Sequence, residues 1–242
     1  MAARRFRPTL WATLVAIPAL LILLGLGTWQ LERLGWKRDL IARIDERLAA
    51  APAPLPATLP PDAAEAWEFR RVAVRGTFRH EGEMRWQART REGQLGVELI
   101  TPLAREEGPP VLVNRGWVPL DRADPAARPE TLTAGPVTVE GILRAPAERG
   151  TMQPDNRPDA NQWFWLDIPA MAAAAGVPDA LPVLVQAAPP AGAVADRAAL
   201  PVPRVPRPEL SNNHLQYALT WYGLAAALVA VYVVFHLRPR QS

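Results

Sequence analysis

The sequence predicts a membrane protein in which a two-helix transmembrane hairpin encloses a mainly antiparallel β (α+β) domain outside the cytoplasm. No formal charge occurs between Arg7 and Glu32. A second uncharged run lies between Glu209 and Arg238. Each run exceeds the roughly 20 residues that cross a bilayer as a helix. Between them, short segments with a period of two alternate with turns that contain Gly and Pro, which predicts the β domain.

The two apolar runs divide the chain into five predicted segments. These are a cytoplasmic tail at 1–9, transmembrane helices at 10–31 and 210–237, a periplasmic domain at 32–209 with Pro-rich linkers at 51–61 and 189–208, and a cytoplasmic tail at 238–242. Arginines at both outer ends favour cytoplasmic termini, although basic residues mixed with acidic ones also follow the first run. The first run has features of a signal peptide, with Gly25-Leu26-Gly27 at its end, but its length favours a retained anchor.

Periodicity predicts the elements of the middle segment. Helical spacing predicts a juxtamembrane helix over 31–49, and period-two alternation predicts an antiparallel hairpin in which 72–78 pairs with 84–89 around the turn His80-Glu81-Gly82-Glu83. Further strands are expected at 97–103, 111–118, 137–143 and 181–186, with a short helix at 169–175. Short strands joined by short connections predict a compact antiparallel sheet or a small barrel.

Composition excludes several functions. Cysteine is absent, so neither disulfides nor thiol chemistry is available. Five of the 27 basic residues lie in the tails, which leaves 22 basic against 24 acidic residues in the middle segment. Because no one-sided basic stripe remains, nucleic acid is not an expected partner.

The chain also lacks the usual enzyme signatures. Its only serines are Ser211 and Ser242, and its three histidines, His80, His214 and His236, have neither HxxxH nor HExxH spacing. No glycine-rich phosphate loop occurs. The sequence therefore predicts a protein that is not an enzyme.

His214 is the most informative residue, because it occupies the first turn of the second apolar run beside Tyr217 and Trp221. One interpretation is an interfacial aromatic belt. The other is a ligand site: His214, Tyr217 and Trp221 share a helical face on which a planar apolar ligand could lie, and a helix N-terminus favours the neutral imidazole that binds iron. Gly223 and Ala227 supply a small-residue patch for close helix approach.

Three residues at the end of the first run, Trp29, Gln30 and Arg33, are either an aromatic and cationic anchor or the other side of a site at His214. His236, beside Arg238, is interpreted as an interfacial residue whose polar end reaches water.

Several blocks of sequence resemble the surfeit-locus cytochrome oxidase assembly factors. They occur in that family's order and cover nearly the whole chain: Gly27-Thr28-Trp29-Gln30 with Arg33, Trp36 and Lys37; Phe69-Arg70-Arg71-Val72; Asn114-Arg115-Gly116-Trp117-Val118-Pro119; Val139-Glu140-Gly141; Asn161-Gln162-Trp163-Phe164-Trp165; and 212–221.

The resemblance implies a bacterial inner-membrane assembly factor that binds haem a transiently and aids its insertion into the catalytic subunit of cytochrome c oxidase. His214 matches the histidine proposed in that family as the axial ligand of haem iron. Tyr217, Trp221, Trp29 and Gln30 would complete the site. The implied partners are the catalytic subunit, membrane lipid, and haem a synthase with other assembly factors. From charge pairing we further expect Arg33 and Arg207 to bind the haem propionates.

A second hypothesis is a haem-free membrane scaffold or chaperone that holds oxidase subunits or other assembly factors. Residues 114–119 and the Trp163-Phe164-Trp165 cluster would then be contact surfaces, since exposed aromatics tend to dominate interfaces. The alternative for these aromatics, and the expectation for Trp117, is a buried core. A third hypothesis, a haem-modifying enzyme, is disfavoured by the missing catalytic residues.

Overall fold

The structure is a computed structural model that describes residues 5, 6, 8–60, 63–189, 199–204 and 213–238. The chain forms two units. One, called the helical unit, comprises 1–43 and 209–242, and the other, called the barrel unit, comprises 44–208.

Two long helices dominate the helical unit. The first, α1, runs over Leu10–Ala49 and continues past the unit boundary, and the fourth helix of the chain, α4, runs over His214–His236. The predicted transmembrane and juxtamembrane helices are thus one continuous helix, because no proline interrupts the chain between Pro18 and Pro52. A short strand β1 (Arg5–Phe6) pairs antiparallel with the last strand, β10 (Leu237–Arg238).

Polar side chains join the two helices in antiparallel order. Thr9 Oγ1, just before α1, lies 3.1 Å from His236 Nε2, and Thr28 Oγ1 lies 3.1 Å from the Tyr222 hydroxyl. The side chains of Thr13 and Tyr232 form a third hydrogen bond, which lies between the other two along the helix pair. Since residue numbers rise on α1 as they fall on α4, the helices run in opposite directions side by side.

The small residues that α4 buries differ from those predicted. Ala218 and Ala225 are 1% and 3% exposed, whereas Gly223 has nothing within 4 Å of an added Cβ and Ala227 is exposed. The predicted Gly223–Ala227 patch was wrong. Ala218 and Ala225 are seven residues apart and Gly223 and Ala227 four, and both spacings keep a pair on one face of a helix, so spacing alone does not show which pair is buried.

The barrel unit is built on a mixed sheet. Among the described residues its strands are β2 (Ala53–Pro54), β3 (Arg71–Phe78), β4 (Met84–Arg91), β5 (Gln94–Arg105), β6 (Val111–Pro119), β7 (Pro136–Arg144), β8 (Gln162–Trp163) and β9 (Leu184–Ala187). The strand order is β2-β3-β7-β9-β6-β5-β4-β8, and β3 also pairs with β5. The strands β3, β7, β9, β6 and β5 therefore close into a ring, which confirms a small barrel.

The sheet is less uniformly antiparallel than predicted. Most neighbours in the barrel are antiparallel, but β2 with β3, β4 with β8 and β6 with β9 are parallel pairs. Two short helices complete the described unit, α2 (Ala64–Trp67) and α3 (Ile168–Ala174), the latter one residue earlier than predicted.

The predicted hairpin between 72–78 and 84–89 was wrong. β3 pairs with β7 along its whole length and with the end of β5, while β4 pairs with β5. A 3-10 turn at His80–Gly82 separates β3 from β4. The hairpin that does form joins β4 to β5 through Glu92-Gly93, whose φ angles of 50° and 82° match the type I′ turn that suits the twist of paired strands.

The interior of the ring is apolar. Val72, Val74, Leu103, Val113 and Val185, from four of the ring's strands, belong to one buried cluster. A second cluster, around Trp163 and α3, packs against the β4–β6 side. Trp163 and Trp117 are 1% and 7% exposed, and residues 114–119 form part of strand β6, not a loop. The buried core expected for Trp117 is confirmed, and Trp163 is core as well, whereas its neighbours Phe164 and Trp165 are half-buried.

Candidate functional site

His214 is the first residue of α4, and its imidazole is hydrogen-bonded to α1. Its Nδ1 lies 2.7 Å from Gln30 Oε1. A carboxamide oxygen only accepts hydrogen bonds, so Nδ1 carries the proton and donates it. In the neutral ring this leaves the lone pair on Nε2. The arrangement matches the pattern in which the second ring nitrogen of a metal-binding histidine donates to an oxygen acceptor, which fixes the tautomer and the ring orientation.

Close approach of the two helices brings Gln30 to His214. One turn before Gln30, Gly27 is buried, and a Cβ added there would lie 2.9 Å from ring carbons of Tyr222. Thr28, its neighbour, contacts the hydroxyl of the same tyrosine. A side chain at position 27 would separate the helices at this level, so the glycine supports the contact that forms the site.

The other predicted residues of α1, Trp29 and Arg33, are exposed. At 3.6 residues per turn, Trp29 is about 100° around the helix from Gln30, and it is 50% exposed. The Arg33 guanidinium is exposed and lies 4.7 Å from the ring centroid of Trp36, a cation–π distance. The structure does not bring Trp29 or Arg33 against His214, and their part in a binding site stays a prediction.

Tyr217 and Trp221 flank His214 on α4. They follow it by three and seven residues, which places them on the same face of the helix as His214. Tyr217 is 55% exposed and Trp221 is half-buried. Arg207 lies outside the described residues. The part of the predicted site that the structure assembles is thus His214 with Gln30, next to an exposed aromatic surface.

His236 differs from its interpretation as an interfacial residue. It is fully buried at the opposite end of α4, its Nδ1 lies 2.7 Å from the Tyr232 carbonyl oxygen, and its Nε2 bonds to Thr9. The rings of Phe6 and Tyr232 pack against it. Because both nitrogens are used within the helical unit, His236 holds the chain ends together and offers no nitrogen to a ligand.

The donor set at His214 suits a metal that brings most of its own ligands. Within the part of the chain that the structure describes, no group of three or more histidines and carboxylates lies close enough to hold a metal ion. A single imidazole nitrogen beside an aromatic surface can instead supply one axial ligand to a haem, whose porphyrin provides the equatorial nitrogens. The residues present therefore fit a haem.

The sequence interpretation missed a buried charge cluster in the barrel unit. Glu83, Arg115 and Arg128 have side chains that are 4%, 8% and 0% exposed. Arg115 Nη1 lies 3.4 Å from Glu83 Oε2, and Arg128 Nη2 pairs with Glu83 Oε1. Burial lowers the pKa of the Arg115 guanidinium, and the charge of Glu83 opposes that shift. The sequence did indicate that Arg115 is buried. On β6 it follows Val111 and Val113 at two-residue intervals, and residues at this spacing lie on the same face of a strand.

The chain thus combines one unit with a closed five-stranded barrel and another in which a histidine and a glutamine pair two long apolar helices. The chain belongs to the SURF1 family, which matches residues 17–226.

Curated relatives agree with that assignment. A SURF1-like protein of Monosiga brevicollis is 38% identical over 96% of this chain and 89% of its own length. Surfeit locus protein 1 of Homo sapiens is 37% identical over 84% of this chain and 70% of its own. The cytochrome oxidase assembly protein SHY1 of Saccharomyces cerevisiae is 29% identical over 88% of this chain and 72% of its own.

Proposed function

We propose that this chain is an assembly factor for haem-copper cytochrome c oxidase that binds haem a at His214 and aids its insertion into the catalytic subunit. Family membership and the name of the yeast relative support the oxidase role. The observation that carries the haem role is the 2.7 Å contact between His214 Nδ1 and Gln30 Oε1, which leaves Nε2 as the nitrogen with a free lone pair.

We place the protein in a bacterial inner membrane as a two-span hairpin, with both termini cytoplasmic and the barrel unit periplasmic. Both helices are long and apolar enough to cross a bilayer, and only 6% and 11% of their most apolar segments is buried. Exposed apolar helix surfaces of this length are stable in lipid, and the arginines beyond the outer ends favour the cytoplasmic side.

Each residue of the site has a specific task. His214 Nε2 would supply one protein ligand to haem iron, and a single protein ligand suits a carrier that must release its haem. Gln30 is a positioning residue that holds the ring and its tautomer. Tyr217 and Trp221 offer an aromatic surface to a planar ligand. Arg33 and Arg207 would pair with the haem propionates, an assignment that rests only on their opposite charges. When bound, the haem supplies the iron centre that the oxidase requires.

The proposed partners are the catalytic subunit, which receives the haem, and haem a synthase with other assembly factors, which act before it. Two of the aromatics that the sequence suggested as contact residues of a scaffold, Trp117 and Trp163, are core residues of the barrel unit, whereas Phe164 and Trp165 are half-buried. We therefore propose no contact role for Trp117 or Trp163.

Complementation tests the proposal against the scaffold. Cells that lack this protein are supplied with the wild-type chain, His214→Ala or His80→Ala, and the haem a content of their oxidase is measured by difference spectroscopy at equal levels of the protein. The wild type and His80→Ala restore haem a, because His80 lies in the barrel unit, 3.0 Å from the Thr133 carbonyl oxygen. His214→Ala fails to restore it. Full restoration by His214→Ala contradicts the proposal and favours a haem-free scaffold.

A further inference from the structure

We infer that the barrel unit carries a second binding site, for a carboxylate attached to an apolar group, in a cavity that Arg115 and Phe78 line. This site is independent of haem binding at His214. It follows from a gap in the barrel wall, from an uncompensated buried charge beside the gap, and from the apolar character of the remaining walls.

The gap arises where one strand of the ring is shorter than its neighbour. β9 ends at Ala187, and its pairing with β7 covers only Gly141–Arg144 of that strand. Earlier residues of β7, Val137 to Glu140, instead line a cavity of about 300 Å³. Apolar side chains supply most of its described lining, including Phe78, Val137, Val139, Pro189 and Pro201. The cavity opens to solvent, so a ligand has access to it.

Arg115 brings an excess positive charge to this cavity. The guanidinium groups of Arg115 and Arg128 share the single carboxylate of Glu83, so these three buried side chains carry a net charge of +1. Among the described residues that line the cavity, the other charged one is Glu140, which lies 3.7 Å from Arg71, and those two charges offset each other. Because isolated buried charge is unfavourable, an anion at Arg115 would stabilise the cluster.

The Arg115 guanidinium also keeps hydrogen-bonding capacity. Its Nη1 donates to Glu83 and its Nη2 donates to the Thr131 carbonyl oxygen. A guanidinium has five N–H donors, so others remain for a carboxylate, whose two oxygens match its planar geometry. The Phe78 ring, 4.9 Å from the guanidinium carbon, holds the group in place. One excess charge between apolar walls favours a monoanion with an apolar body over a phosphate.

Thr138 offers a matched pair of variants, because it lines the cavity and is exposed. Thr138→Glu adds a negative charge at the exposed edge of the cavity, where it repels a bound anion. Thr138→Gln has nearly the same size without the charge. Both changes lie on the surface, so neither is expected to prevent folding.

Binding is measured on the full chain in a non-ionic detergent, from the fluorine NMR linewidth of 4-(trifluoromethyl)benzoate. The uncharged 4-(trifluoromethyl)benzamide and protein-free micelles are the references. The benzoate line broadens with the wild type and with Thr138→Gln, returns to the micelle value with Thr138→Glu, and the benzamide line is unchanged throughout. Equal broadening of both probes, or benzoate broadening that persists in Thr138→Glu, overturns the proposal.

Competition identifies the source of the carboxylate. Displacement of the benzoate by hexanoate but not by N-acetyl-Val-Asp-Val amide indicates a free acid, whereas displacement by the peptide indicates an acidic side chain of a protein partner. Each result supports a carboxylate site. Displacement by neither compound shows that the benzoate binds through its ring, which contradicts the proposal.

Discussion

His214 and Gln30, 184 positions apart in the sequence, form a hydrogen bond of 2.7 Å between the ring Nδ1 and the amide oxygen. This contact makes the histidine more than an interfacial residue of a helix end. It selects one tautomer, restricts rotation of the ring, and ties the beginning of α4 to α1. The proposed ligand atom, Nε2, thereby acquires a fixed position before any haem arrives.

Removing the acceptor should weaken haem binding without removing the ligand. In Gln30→Leu the proton on His214 Nδ1 loses its hydrogen-bond acceptor. Loss of a residue that hydrogen-bonds a metal-binding histidine typically lowers metal affinity, so we expect roughly 10- to 100-fold lower haem affinity. Gln30→Glu keeps an oxygen acceptor and should retain haem. Affinity is measured by titrating haem into the purified chain and following the Soret band. Identical affinity in Gln30→Leu and the wild type would show that Gln30 has no positioning role.

Substitution of Gly27 should disturb the helix pair. A leucine at this position meets the Tyr222 ring, which an added Cβ already approaches to 2.9 Å, and such overpacking costs about 1–3 kcal/mol. The control is Gly25→Leu, because nothing lies within 4 Å of a Cβ at Gly25. Thermal unfolding in detergent, followed by circular dichroism, compares the two. A Tm for Gly27→Leu equal to that of Gly25→Leu would contradict the predicted close contact.

Glu83 should be essential for the stability of the barrel unit. Glu83→Gln leaves the guanidiniums of Arg115 and Arg128 buried without a counter-charge, and breaking a buried pair in this way costs about 3–5 kcal/mol. Glu130→Gln removes the partner of Arg122 from an exposed pair, which is worth at most about 1 kcal/mol. Urea unfolding of the full chain measures both. Equal midpoints for the two variants would refute the assignment of Glu83 as the structural counter-charge.

Local sequence signals predicted the elements that depend on local physics. Uncharged apolar runs located both long helices, and period-two alternation located β3, β5, β6 and β7 to within a few residues. Asp167, whose Oδ1 accepts a hydrogen bond from the Ala170 amide at 3.2 Å, explains why the short helix begins where it does. His214 and Gln30 were both among the candidate site residues, and the structure pairs them.

Pairing between strands was not predictable in the same way. β3 and β4 are consecutive, and the simplest expectation is that they form a hairpin. In the fold, β3 pairs instead with β7, more than 50 positions later, because closing the ring buries Val72 and Val74 among residues from other strands. The turn at Glu92-Gly93 was the one local sign of the real hairpin, and it was overlooked.

The buried charges were missed for a related reason. Its neighbours in sequence predict only that Glu83 lies in a turn, whereas its environment is set by Arg115 and Arg128, which come from distant segments. Burial of a carboxylate is a property of the assembled core. A sequence pattern can place a charged residue on an inward face, as for Arg115, but it does not identify the partner.

The central claim is that His214 Nε2 is the protein ligand of haem iron. The most direct test is the absorbance spectrum of the full chain, purified in detergent from cells that make haem a, for the wild type and for His214→Ala with His80→Ala as control. The wild type and the control are expected to show the Soret band of bound haem a, and His214→Ala is expected to lose it. An unchanged band in His214→Ala would contradict the claim.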